Sequence, residues 1–220
     1  MITIFLSGGP IMWPLLVCSV ITVAMVIERI FFISREQMRR QPIVVDEMLK
    51  SVERGDPDSA ITVGKISRDF VARVLTSALS HREGSFSNAA LKAANTELKR
   101  FNRGLAVLDT IITLAPLLGL LGTITGMIHA FGLLGGKELD APQAITGGIA
   151  QALIATAFGL MIAITALIPF NYLNARLEEA RHELQDSVSQ LELYMERTGR
   201  AATPNNSTAA NSASRTTQKP

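Results

Sequence analysis

The sequence predicts an all-α integral membrane protein: three transmembrane helices, a helical cytoplasmic domain, and long helices extending from the membrane. Three observations carry that class. Mean hydropathy is +0.28. Only 18% of residues are charged, against about 25% in soluble chains. The charges also leave uncharged runs at Met1–Ile27, Thr110–Gly136 and Ala141–Ala175, and a spanning helix needs about 20 apolar residues.

The first span is expected over about Pro10–Ile33. Trp13 stands at its start, where an amphipathic ring suits the interface, and Pro14 falls in the first turn, where a missing N–H costs least. No Lys or Arg precedes Arg29 and no small-x-small cleavage site follows the run, so it reads as an uncleaved helix, not a signal peptide. Glu28 and Arg29 close the span as a membrane-interface pair with snorkelling side chains. Cys18 is the one cysteine, so no intrachain disulfide forms.

Residues 34–109 form the cytoplasmic helical segment. Thirteen of the 21 Lys and Arg residues lie in Ser34–Arg103, and the positive-inside rule places that stretch in the cytoplasm, with the N-terminus and hairpin turn outside and the C-terminus inside. Three helices are expected. The first, Ile43–Arg54, stops at Gly55. The second opens with Asp56 as cap and Pro57 at the first position and runs to about His81. The third starts near Ser87, carries an apolar stripe of Ala90, Leu91, Ala94, Leu98 and Phe101, and continues into the second span. His81 reads as a surface histidine.

The second span occupies 110–134, the outer turn 135–140 and the third span 141–172. Ala115, Gly119, Gly122 and Gly126 line one face of the second span. Gly148, Ala152, Ala155, Gly159, Ala163 and Ala166 line the third. Such small-residue seams permit close helix approach in lipid. Pro116 and Pro169 are expected to kink their helices. His129 reads as interfacial. The polar residues include Thr123, Thr156 and Gln151, and a buried amide in hydrocarbon must face another helix or water.

Beyond Pro169 a cytoplasmic amphipathic helix spans 173–198, its stripe of Leu173, Leu177, Ala180, Leu184, Val188, Leu191 and Met195 needing cover from the chain or from a copy of it. The tail, 199–220, has low-complexity, disorder-prone composition. The net charge of +2 argues against nucleic acid as a partner. No metal or cofactor motif is present, and no enzyme constellation. From residues alone, a conducting pore and a non-conducting scaffold fit equally.

The run LAPLLGLLGTITGMIHAF (Leu114–Phe131), followed by GIAQALIATAFGLMIAITALIPFNYL (Gly148–Leu173), closely resembles the MotA/TolQ/ExbB proton channel family. VIERI (Val26–Ile30), the element order and the insertion between the first two spans are similar too. The likeness covers about Pro10–Arg197. The three-span plan favours the ExbB/TolQ branch over the flagellar stator branch, which usually has four.

The resemblance implies a homopentameric ring in the bacterial inner membrane, whose second and third helices line a lumen. It implies a single-span ExbD/TolR-like partner inside the ring, whose membrane Asp carries the proton, and a TonB- or TolA-like protein that takes the work outward. By motif position, Thr123 and Thr156 become pore-lining hydroxyls. The implied function is a ring subunit energising TonB-dependent transport; a TolQ-like role in envelope integrity and division is the alternative within the family. One departure stands out. The pattern usually reads IAEAL, whereas this chain has Ile149-Ala150-Gln151-Ala152-Leu153, so it offers no carboxylate there.

Overall fold

The computed structural model describes residues 8–82, 85–132 and 141–202, with side chains over 146–197 of the last stretch. Among the described residues every regular element is a helix: α1 (Met12–Met38), α2 (Pro42–Glu53), α3 (Pro57–Ile66), α4 (Phe70–Leu79), α5 (Phe86–Asn102), α6 (Leu105–Gly132) and α7 (Ala141–Ala202). Three of them, α1, α6 and α7, are long and apolar enough to cross a membrane. The chain divides into two compact units. One joins the residues up to Arg35 to Lys99–Glu179; the other joins Glu36–Leu98 to the chain from Ala180. The expected turn at 135–140 and most of the tail, from 203, lie outside the described residues.

In the first unit α1, α6 and α7 meet at a core of Met12, Leu15, Cys18, Ile111, Ala115 and Ala155. Large apolar side chains such as Leu117, Leu153 and Ile164 point outward. A continuous outward apolar surface of this kind is uncommon in water and natural in lipid. Pro116 lies inside α6 and Pro169 inside α7, and α7 continues through Pro169 without interruption.

Two helices end where the sequence pattern has them continuing. The stretch expected as one helix from Asp56 to His81 is two. Asp56 caps α3 by accepting the Ser59 N–H at 3.1 Å, but at Ser67 the backbone turns extended (ψ 145°). Asp69 then caps α4, accepting the Val71 N–H at 2.8 Å. The helix expected to run from Ser87 into the second span is also divided. It breaks at Gly104, whose φ of +86° is a left-handed conformation that glycine adopts without a Cβ penalty.

Buried charge organises the second unit. Asp69 is 1% exposed. It accepts from Arg40 Nη1 at 2.8 Å and from the Gln41 N–H at 2.6 Å, so the α1–α2 and α3–α4 turns are tied together. Arg40 also pairs with Glu183 on α7 and lies 4.6 Å over the Phe70 ring. Arg73 on α4 pairs with Glu36 at 2.9 Å and Glu97 at 2.8 Å. Burial alone would lower the Arg73 pKa, but the hydrogen bonds to Glu97 and Glu36 outweigh it and hold it above the ordinary value. Glu97 therefore occupies the inward face of α5 with Ala90 and Phe101. Leu91, expected in that stripe, is exposed, because the ion pair sets the rotation of the helix.

Most of the stripe of α7 is covered within the single chain, with Val188 and Met195 half-buried. Leu173, Leu177, Ala180, Leu184 and Leu191 are buried, while Glu179, Arg181, His182 and Asp186 face outward.

Candidate ion pathway at the hairpin seam

The α6–α7 contact is built on the absence of side chains. A Cβ on Gly122 would stand 2.6 Å from the Ala155 Cβ, and one on Gly126 would stand 2.9 Å from the Ala152 Cβ. On the other helix, a Cβ on Gly148 would lie 2.6 Å from the Ala130 Cβ, and one on Gly159 would lie 2.5 Å from the Ala115 carbonyl oxygen. Contacts this close between backbones supply dispersion energy that lipid cannot replace. Ala115 and Ala130 extend the seam at both ends, and both are fully buried.

Gly119 does more than make room. The Thr156 hydroxyl crosses the seam and donates to the Gly119 carbonyl at 2.8 Å. That same carbonyl faces the N–H one turn later, at Thr123, in the regular helix pattern. Thr123 itself is half-buried and donates to the Leu120 carbonyl at 2.7 Å, as helical threonines do in apolar surroundings. The two hydroxyls thus bond successive carbonyls of α6, Thr156 that of Gly119 and Thr123 that of Leu120. Thr123 also lines an open apolar groove with Ile124, Met127, Ile128 and Phe131. Thr125 bonds back to Leu121 at 2.9 Å, and His129 is exposed.

Gln151 is not with them. It stands five residues before Thr156, about 140° around the helix, on the side of α7 that meets the start of α1. There its amide nitrogen abuts Gly9, so closely that a Cβ on Gly9 would overlap it. Gly9 has φ +74°, so both its conformation and its lack of a side chain belong to this contact. The Gly8-Gly9 pair, which signals nothing as a sequence motif, is what lets the chain pass over α7.

Glu28 and Arg29 also sit differently from two snorkelling side chains. Glu28 is half exposed, but Arg29 is 3% exposed. Its Nε donates to Glu28 at 2.5 Å and its Nη1 to the Arg100 carbonyl at 3.0 Å. The guanidinium lies 5.0 Å from the Phe32 ring centroid, and Phe32 meets Phe101 edge-on at 5.6 Å. Arg29 thus satisfies a carbonyl at the end of α5, two residues before its last helical residue is passed and Gly104 turns the chain. The signal for that end was present in the sequence, as basic residues followed by Gly in KRFNRG. Nothing in the sequence pointed to Arg29 as its partner.

Residues 64–186 match the model of the MotA/TolQ/ExbB proton channel family. A putative biopolymer transport protein ExbB-like 1 of Synechocystis is 39% identical over 197 residues, covering 86% of this chain and 76% of its own. Biopolymer transport protein exbB1 of Vibrio cholerae is 26% identical over 198 residues, 86% of this chain and 85% of its own. The Tol-Pal system protein TolQ of Haemophilus influenzae is 33% identical over 105 residues, 48% of this chain and 46% of its own. With three apolar helices, these likenesses make the protein a multi-pass inner-membrane protein. The chain belongs to the MotA/TolQ/ExbB proton channel family, on its ExbB/TolQ branch.

Proposed function

We propose that this chain is the ring subunit of an inner-membrane, proton-driven motor that works with a single-span ExbD-type partner to energise TonB-dependent outer-membrane transport. The ring is a homopentamer, the segment between the first two spans is cytoplasmic, and the N-terminus faces the periplasm. The observation that carries the reading is the Thr156 hydroxyl on the Gly119 carbonyl with Thr123 one turn away. A proton crossing hydrocarbon depth needs polar groups along its way, since a bare apolar wall makes a charged intermediate very costly. Hydroxyls can donate and accept, so they can bond a partner carboxylate in either protonation state.

The membrane Asp of the partner carries the proton. Gln151 cannot titrate, and its amide nitrogen lies against Gly9. Flux into vesicles holding both proteins tests this. Proton uptake should vanish when the partner Asp is replaced by Asn and persist in Gln151→Ala; loss of uptake in Gln151→Ala would sink the assignment. A flux-free complex that still supports growth, with Thr156→Val fully functional, would favour a non-conducting scaffold.

A TolQ-like role in envelope integrity is the second reading, favoured by the 33% identity to TolQ over 105 residues. Complementation separates the two: restored iron-siderophore uptake marks the TonB system, and restored detergent resistance marks the Tol system.

A further inference from the structure

Within the first unit a cavity of about 210 Å³ opens between α1 and α7, lined by Leu15, Ser19, Val23, Phe158, Ile162 and Thr165 among others. We propose that it is a binding site for one acyl chain of a membrane phospholipid. Its lining is mostly apolar, and both threonine hydroxyls at its wall are bonded to their own helices, Thr22 to the Cys18 carbonyl at 2.8 Å and Thr165 to the Met161 carbonyl at 2.8 Å, which leaves Ser19 as the one other side-chain hydroxyl there. A polar ligand would find little to bond, and its desolvation would go uncompensated. Size decides between the two apolar occupants a membrane offers. A transmembrane helix is about 10 Å across, too wide to enter a space of this volume, and could only lie across its mouth. A single hydrocarbon chain is thin enough.

Length agrees. The lining runs along α1 from Met12 to Val23, 11 residues or about 16 Å of helix. One leaflet of the hydrocarbon core is about 15 Å deep. Trp13, 62% exposed, stands at the Met12 end, where an indole meets headgroups. The bound lipid therefore belongs to the leaflet at the N-terminal end of α1, with its chain descending past Ser19 toward Thr165. The site depends on the membrane placement of α1 and α7 and not on proton conduction, so a failed flux assay leaves it standing.

The test uses the full chain in mild detergent, titrated with phosphatidylglycerol carrying a brominated acyl chain, which quenches tryptophan at contact. In a Trp13→Phe background, Phe158→Trp reports from the wall of the cavity. Met161→Trp, at its rim, replaces it should Phe158→Trp fold poorly. Leu153→Trp, on an outward face, is the control. Quenching in the cavity should be complete near one lipid per chain, while the control needs about tenfold more lipid. Filling the cavity with Ser19→Phe should move the reporter onto the control curve. Identical curves for reporter and control, or a Ser19→Phe variant that changes nothing, would overturn the site.

Discussion

Gly159 and Gly147 make the clearest pair of residues to compare. A Cβ on Gly159 would meet the Ala115 carbonyl oxygen at 2.5 Å and the Gly119 Cα at 3.1 Å, both backbone atoms that cannot swing aside, while a Cβ on Gly147 meets nothing within 4 Å. Gly159→Ala should therefore cost about 1–3 kcal/mol through forced separation of α6 and α7. Gly147→Ala should unfold at or above the wild-type temperature, since alanine is the better helix former. Thermal unfolding in detergent reads both. Thr156→Val removes a hydrogen bond between helices, worth about 0.6 kcal/mol in comparable membrane cases. Thr123→Val removes only a bond to its own helix and should leave stability unchanged. If both variants lower flux while only Thr156→Val lowers stability, the two hydroxyls share a role that packing does not explain.

At the scale of elements, the breaks between helices carry the fold. Asp69→Ala leaves Arg40 without its buried partner and the Gln41 and Val71 N–H groups without their acceptor. Breaking a buried pair typically costs about 3–5 kcal/mol, and amide exchange should rise first at the start of α4. The N-terminus of α3 adds a pH dependence. Asp56 is held below its ordinary value of 3.8 by the Ser59 hydroxyl and then by the Ser59 N–H. A depressed carboxyl contributes its stability above the unfolded value and loses it as pH falls through the folded one. Protection of the Ser59 amide should thus be constant above pH 3.8 and fall below it, and Asp56→Asn should abolish that pH dependence. The sequence announced these elements unevenly. The α2 stop and the Asp56-Pro57 start follow local rules and were readable. Asp69 follows the same capping rule, but it sits inside an apolar pattern that continues on both sides, so periodicity hid the break. Glu97 was not readable at all, because its burial depends on Arg73 and Glu36, one 24 and the other 61 residues away in sequence.

Across the whole molecule, the small-residue stripes were legible because lipid leaves helices few other ways to associate, and Ala152, Ala155, Gly122 and Gly126 meet as an antiparallel seam. The side of α7 on which Gln151 lies was calculable from its five-residue offset to Thr156, but the partner it meets there was not: Gly9 reaches it through a left-handed turn that a glycine pair alone does not specify. Orientation is a prediction at this scale. Lys137→Cys, in a Cys18→Ser background, should react with an impermeant maleimide on intact spheroplasts. His81→Cys should react only after permeabilisation, and the opposite pattern would invert the proposed topology.

The two legs of the hairpin differ mechanically. On α7 the helix runs on past the span, through Pro169, without a break. The other leg changes direction at Gly104 between α5 and α6. A twist applied to the third span has no joint in which to dissipate and must travel along α7 as along a torsion rod, whereas the second span has a swivel at its foot. Within the first unit, spin labels at 160 and 178 should give a narrow distance distribution, and labels at 100 and 112 a broader one. Work extracted in the membrane would then leave it by one leg only.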